Sequence, residues 1–172
     1  SQLAVMNLVA QLAKAITKIR GKKVVLGVPL FHAYGIMVSW IYFSTGGTVI
    51  IPEAIKADVI AKLIEKEDAT DLWSVAPIYQ GIIDNEELTA MAAPRLKICS
   101  IAGSYTSPVQ FMRFESALYN TTFINLYGMT ETASAYTLTR PEDDISVRYN
   151  TVGRAVDGVE LAIWDEEHGI LP

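Results

Sequence analysis

The sequence of 172 residues has little of what several common kinds of site require. Its single cysteine, Cys99, cannot form a disulfide within the chain, and one cysteine with two histidines leaves too few soft ligands for a zinc cluster. Basic residues are outnumbered, 14 Lys+Arg against 19 Asp+Glu, so the net charge of -5 opposes the basic patch that nucleic-acid binding needs. Neither a Gly-x-Ser-x-Gly elbow nor a Gly-x-Gly-x-x-Gly dinucleotide fingerprint occurs, which leaves a serine hydrolase or a dehydrogenase without a motif. Ser1 to Arg20 lacks a basic n-region, and its apolar residues recur at helical spacing, so it is not a signal peptide. The uncharged stretch from Val24 to Pro52 is long enough to cross a bilayer. Pro29, His32 and Gly35 interrupt its first half and Gly46-Gly47 its second, so it reads as strand, turn, helix, turn, strand, with no transmembrane segment.

What is present is apolar. Hydrophobic residues make up 51% and charged residues 19%, which excludes disorder. The mean hydropathy of +0.26 fits a chain that hides an apolar surface against something else. Val5, Leu8, Val9, Leu12, Ile16 and Ile19 share one face of a helix expected to end near Gly21. Strands are expected at Lys23 to Gly27, Thr48 to Ile51, Leu72 to Val75, Leu96 to Ile101 and Thr122 to Leu126. Helices are expected at Ile36 to Ser44, Asp58 to Glu67, Ala76 to Asp84, and from the Ser107-Pro108 start to about Tyr119. Strands alternating with helices in this way imply parallel strands joined by crossover helices. The tail differs: Tyr136 to Thr139 and Val159 to Trp164 read as isolated strands, joined by a polar loop carrying Glu142, Asp143 and Asp144.

Ligands of an open parallel sheet bind outside the carboxyl ends of its strands. Three loops with unusual residues fall there: Pro29 to Gly35, Ala102 to Thr106 and Tyr127 to Thr132. In Asn125-Leu126-Tyr127-Gly128-Met129-Thr130-Glu131-Thr132, Gly128 permits a sharp turn and close approach to a ligand, Thr130 offers a hydroxyl to a phosphate, and Glu131 offers the hard carboxylate oxygen that magnesium prefers. The same residues would also suit an ordinary turn with a helix-capping Thr-Glu. Cys99 reads as a small buried hydrophobe, Trp40, Tyr42 and Phe43 as core or subdomain contacts, the 142–144 carboxylates as a solvated loop, and Asp165, Glu166 and Glu167 before Gly169 as a hairpin turn.

Tyr127 to Thr132 resembles the core motif of the adenylate-forming (AMP-binding) superfamily, which includes acyl-CoA synthetases, luciferases and peptide-synthetase adenylation domains. Pro29-Leu30-Phe31-His32-Ala33-Tyr34-Gly35 resembles its aromatic-His motif, and Ile101-Ala102-Gly103-Ser104 its adenine loop. Thr151-Val152-Gly153-Arg154, with the strand at Val159 to Asp165, resembles the family's segment downstream of the core motif. Order and spacing agree over nearly the whole chain.

The resemblance implies a three-layer α/β/α lobe with a mostly parallel sheet over about residues 1–135, and the start of a following β-rich segment over about 136–172. It implies an ATP-dependent, AMP-forming acyl-CoA synthetase of fatty acid metabolism, located in the cytoplasm. Its partners would be a small carboxylic acid, ATP, coenzyme A and Mg2+. By position, Tyr127 would stack on adenine against the backbone of Ala102, Gly103 and Ser104, and Asn125 would bond the adenine amino group. Gly128 and Met129 would complete the nucleotide loop, Thr130 would contact the phosphates, and Glu131 would hold magnesium. His32 would sit beside the substrate carboxylate and α-phosphate, with Tyr34, Ser104 and Ala135 lining the acyl pocket. The family's phosphate loop ending in Pro-Lys-Gly, its ribose-binding Asp and its C-terminal domain with a catalytic Lys have no counterpart in this sequence. The expectation is therefore an internal piece of the large N-terminal domain, inactive in adenylation alone, whose partner is the remainder of the same polypeptide. A peptide-synthetase-type domain loading a carrier protein is an alternative, although Ala33 and Tyr34 after His32 favour an acid without an amine. A non-catalytic nucleotide-binding module is another.

Overall fold

The alternation of strand and helix carries through the first five strands of the structure, a computed structural model that describes residues 2–16 and 21–171. Helix α1 (Gln2–Ala15) precedes β1 (Lys23–Gly27), α2 (Ala33–Ser44), β2 (Thr48–Ile50), α3 (Ala57–Glu67) and β3 (Asp71–Ser74). Then come α4 (Ala76–Ile83), α5 (Glu86–Ala92), β4 (Ile98–Ile101), α6 (Pro108–Ala117) and β5 (Thr122–Met129). A 3-10 turn at Thr130–Thr132 leads to β6 (Ser134–Leu138), α7 (Ile145–Asn150) and β7 (Arg154–Ala155). The chain closes on a separate hairpin, β8 (Ile163–Asp165) and β9 (Gly169–Leu171). Of the apolar face expected for the first helix, Leu8, Val9 and Leu12 are buried within it; Ile19 lies outside the described residues.

The main sheet has the order β2-β1-β3-β4-β5-β6-β7. Its first five strands are parallel, and β6 and β7 add antiparallel. Side chains alternate between its faces as a pleated strand demands. Val24, Leu26, Trp73, Ile124 and Leu126 pack toward α1 and α2, and Val25, Leu72, Cys99, Ile101 and Phe123 toward α3, α4, α5 and α6. The result is the three-layer α/β/α architecture. Helix α6 starts where sequence chemistry puts it: Ser107 and Gln110 form a capping box and Pro108 opens the first turn. Burial pushes the Cys99 thiol well above its ordinary pKa, in keeping with a small hydrophobe. Among the described residues, no helix is long and apolar enough to cross a membrane.

Several expectations are corrected. Tyr127 to Met129 are not loop but the end of β5, and only Thr130–Thr132 turns, because β6 folds back and pairs with them. The strand near 136–139 is not isolated; it is β6 of the main sheet. Of 159–164, only Ile163 and Trp164 are strand, paired with β9 across the hairpin turn at 165–169 that the sequence indicated. The polar loop after β6 holds a helix, α7, and its Asp143 is not simply solvated: it accepts from the Arg140 N–H (2.6 Å) and from the Arg154 guanidinium (2.7 Å). Tyr42 belongs to the core, whereas Trp40 and Phe43 lie exposed along α2.

Candidate functional site

The loops at the carboxyl ends of the parallel strands, with the β5–β6 turn and the segment after α7, enclose a cavity of about 930 Å³. This is within the range of small-molecule sites. All twelve residues singled out from the sequence line it: His32 and Tyr34; Ala102, Gly103 and Ser104; Asn125, Tyr127, Gly128, Met129, Thr130 and Glu131; and Ala135. The cavity is uneven in character. Buried Val28, Tyr34, Leu126 and Ala135 bring part of the apolar core to its wall, while Ser104, Thr130 and Glu131 are exposed polar residues lining it elsewhere.

His32 is placed by helix formation. It is the N-cap of α2, and its Nδ1 accepts from the Tyr34 N–H at 3.2 Å. The cap uses the Nδ1 lone pair, so the proton of the neutral ring sits on Nε2. His32→Ala is therefore expected to lose about 1 kcal/mol of stability, the usual worth of an N-cap, and His32→Asn to recover most of it. Urea unfolding of the pair separates the cap from the ring's contribution at the cavity. Equal stability of wild type and His32→Ala would refute the cap. Tyr34, the next residue but one, is 4% exposed and its hydroxyl pairs with Ser100 Oγ inside the sheet. Burial raises its pKa far above the ordinary tyrosine value, so it lines the cavity as a neutral ring.

Tyr127 is half-exposed and meets Tyr136 edge-on, with ring centroids 5.6 Å apart. Gly128 is required for a different reason from the one its sequence context suggests. A Cβ there would stand 1.9 Å from the Ser134 carbonyl oxygen and 2.5 Å from Ala135 Cα, at the irregularity where β5 and β6 shift register. The close approach it permits is to the neighbouring strand. After the turn, Ala133 (φ 64°) and Ser134 (φ 100°) hold left-handed backbone without being glycine, the kind of local strain that surrounding structure must impose. Thr132 stitches the turn, its hydroxyl lying 2.9 Å from the Met129 carbonyl. Glu131, at the same turn, pairs with none of the described residues.

Asn125 is tied on both sides. Its N–H donates to Thr139 Oγ1 (2.9 Å) and its Nδ2 donates to the Thr151 carbonyl (3.0 Å). Residues with no individual role assigned from the sequence also line the cavity, among them Tyr105 and Thr106 of the 102–106 loop, and Tyr149, Asn150, Thr151 and Val152. The Thr151-Val152 pair opens a motif visible in the sequence. Tyr149 and Asn150 carry no local signal, because they come from a helix of six residues.

Comparison with known proteins bears on the fold and the family. A CoA ligase of Rhodococcus jostii (strain RHA1), specific by name for a methyl-dioxo-octahydro-indenyl propanoate, is 28% identical over 140 residues. Those residues are 80% of this chain and 27% of that ligase, so the chain spans about a quarter of the length of this relative. A benzoate CoA ligase from Burkholderia xenovorans LB400 superposes with a TM-score of 0.86 at 24% identity, covering 100% of this chain and 35% of that one. The N-terminal domain of FACL13 from Mycobacterium tuberculosis gives 0.85 at 20% identity, covering 98% and 42%. Both likenesses establish the mostly parallel α/β fold. The whole of residues 1–172 matches the AMP-binding enzyme family, and the chain belongs to that family.

Proposed function

We propose that the chain forms the central ATP- and acyl-binding part of an AMP-forming acid–thiol ligase. In such an enzyme a carboxylate oxygen attacks the α-phosphorus of ATP, pyrophosphate leaves, and an acyl-adenylate forms. The thiol of coenzyme A then attacks the acyl carbonyl, and AMP departs with the bond electrons. The single observation that carries this reading is the cavity at the carboxyl ends of the strands, into which both apolar core and exposed polar groups reach. A nucleotide and an apolar acid need both. The relatives support it, since the Rhodococcus protein is named a CoA ligase.

In this reading Tyr127 stacks on adenine, the backbone of Ala102, Gly103 and Ser104 takes the other face, and Asn125 Oδ1 accepts from the exocyclic amine. Gly128 and Met129 shape the strand end beneath the nucleotide. Thr130 donates to phosphate oxygens, and His32 donates from Nε2 toward the reacting carboxylate and α-phosphate. Tyr34, Ser104 and Ala135 bound the acyl part. The residues present fit a magnesium ion of the usual nucleotide kind, which takes one or two carboxylates and otherwise phosphate and water: Glu131 is exposed, lines the cavity and has no partner among the described residues. When bound, magnesium supplies neutralisation of phosphate charge. The protein's own share is to hold donors and reactants in line rather than to form bonds. A cytoplasmic fatty or aromatic acid ligase is the corresponding cellular role.

Calorimetric titration with a non-hydrolysable acyl-adenylate mimic and magnesium tests the proposal. Saturable binding is expected, weakened about tenfold by Tyr127→Ala, since stacking on an aromatic side chain is worth about 1–3 kcal/mol per base. Absence of binding, or equal affinity of wild type and variant, would sink the nucleotide role of this cavity.

A further inference from the structure

The segment Tyr149 to Val152 is held against the cavity by a buried charged cluster. Glu115 on α6 has a side chain only 15% exposed, and its carboxylate accepts from four donors. These are the Phe123 N–H of β5 (2.8 Å), the Tyr149 hydroxyl (2.5 Å) and both terminal nitrogens of Arg148, one at 3.3 Å and the other closer. Arg148 donates further to the Phe123 carbonyl (3.0 Å) and the Asp143 carbonyl (3.3 Å). The Tyr149 ring stacks on Phe111, centroids 5.5 Å apart and planes 10° from parallel. Charge-assisted, two-pronged contacts of this kind are the geometrically stiff ones. Together they bind α7 to α6 and to β5 two residues before Asn125.

The Asn125 amide meets the residue just after α7. Its Nδ2 is engaged by the Thr151 carbonyl, and Oδ1 has no partner among the described residues. Turning the amide over would set Oδ1 against the Thr151 oxygen, two acceptors with no proton between them. The Thr151 carbonyl takes one of the two Nδ2 protons and so fixes where Oδ1 stands, with the second N–H beside it. An exocyclic amine next to a ring acceptor matches that fixed acceptor–donor pair, whereas a carbonyl would face Oδ1 acceptor to acceptor.

We propose that the Glu115–Arg148–Tyr149 cluster is a positioning device that holds the Asn125 amide in one orientation through Thr151, and so makes the cavity select a 6-amino over a 6-oxo purine. The inference rests on the nucleotide reading of the cavity. With α7 released, the Thr151 carbonyl no longer fixes the amide, which then serves either purine. The three residues act through Asn125, and none is a catalytic residue.

The test is NMR of the Asn125 side-chain amide in the chain and in its Glu115→Gln and Tyr149→Phe variants, together with titration of each with AMP and IMP. Wild type is expected to show slowly exchanging amide protons and to bind AMP at least about tenfold tighter than IMP, as sites that hydrogen-bond a substrate group discriminate strongly. Glu115→Gln is expected to speed that exchange and bring the ratio to about threefold or less. Tyr149→Phe, which removes one hydroxyl and keeps the ring stack, falls between. A merely structural role would lower the melting temperature and both affinities together, leaving the ratio alone. An unchanged ratio in the variants, or unprotected Asn125 protons in wild type, overturns the proposal. If Glu115→Gln does not fold, the Tyr149→Phe ratio decides. A wild type that shows protected amide protons and binds neither nucleotide overturns the nucleotide reading itself, and purine selection with it.

Discussion

Gly128→Ala is expected to destabilise the protein by about 3 kcal/mol or more, at the upper end of overpacking effects. The added methyl would stand 1.9 Å from the Ser134 carbonyl oxygen. Its opponents are backbone atoms of β6, so no rotamer change relieves the contact, and the two strands must part at their register shift. Parting them disturbs Tyr127 and Thr130 on either side. Gly103→Ala is the control. Gly103 has φ +86°, and the nearest atom to its would-be Cβ is Val75 Cγ1 at 3.8 Å. It should lose only the backbone cost of a left-handed alanine, about 1–2 kcal/mol. Urea midpoints of the two variants measure the difference; equal losses would show that β5 and β6 are not locked together there.

Asp71→Asn is expected to change the pH dependence of stability. Asp71 opens β3, is 1% exposed, and accepts from the Tyr42 hydroxyl at 2.5 Å. Burial raises its pKa from 3.8 to about 6, although the Tyr42 bond, Thr70 and Lys22 pull the other way. The folded state thus holds its proton more tightly than the unfolded chain. The stability this confers is complete below about pH 4, where both states are protonated, and is lost as pH rises through about 6. A shift from 3.8 to about 6 corresponds to roughly 3 kcal/mol. Asparagine keeps an acceptor for Tyr42 and carries no charge. The variant should match wild type near pH 4 and exceed it by about that amount at pH 8, read as the difference between the two urea-unfolding profiles so that other carboxylates cancel. A constant difference across that range would mean that Asp71 ionises alike in both states.

How legible the fold was depended on whether an apolar run or face coincides with turn chemistry at its ends. Strands β1 and β3 and helices α3 and α6 stood out because they combine an apolar run or face with turn chemistry at their ends. Helix α5 was missed although it has a signal: Asn85 caps it, accepting from the Glu87 and Leu88 N–H groups, and two glutamates occupy its first turn. Helix α7 has no such side-chain cap and only six residues, too few for a periodicity to show.

The candidate site divides along the same line. Residue types that crowd the carboxyl ends of strands are written in local order, and so His32, Ala102 to Ser104, Asn125 and Tyr127 to Glu131 could be singled out one motif at a time. Sequence by itself thus determined the parallel α/β layout, the loops that face the cavity and the family to which they belong. Tertiary structure alone decided that β5 runs on through Met129 because β6 returns to pair with it, that Gly128 answers to Ser134, and that the Asn125 amide points as it does. The first two rest on the register shift of the tight β5–β6 hairpin, and the third on contacts between segments far apart in the chain, Asn125 with Thr151 and Glu115 with Arg148. Local propensity and periodicity carry no record of which distant backbone will be the neighbour.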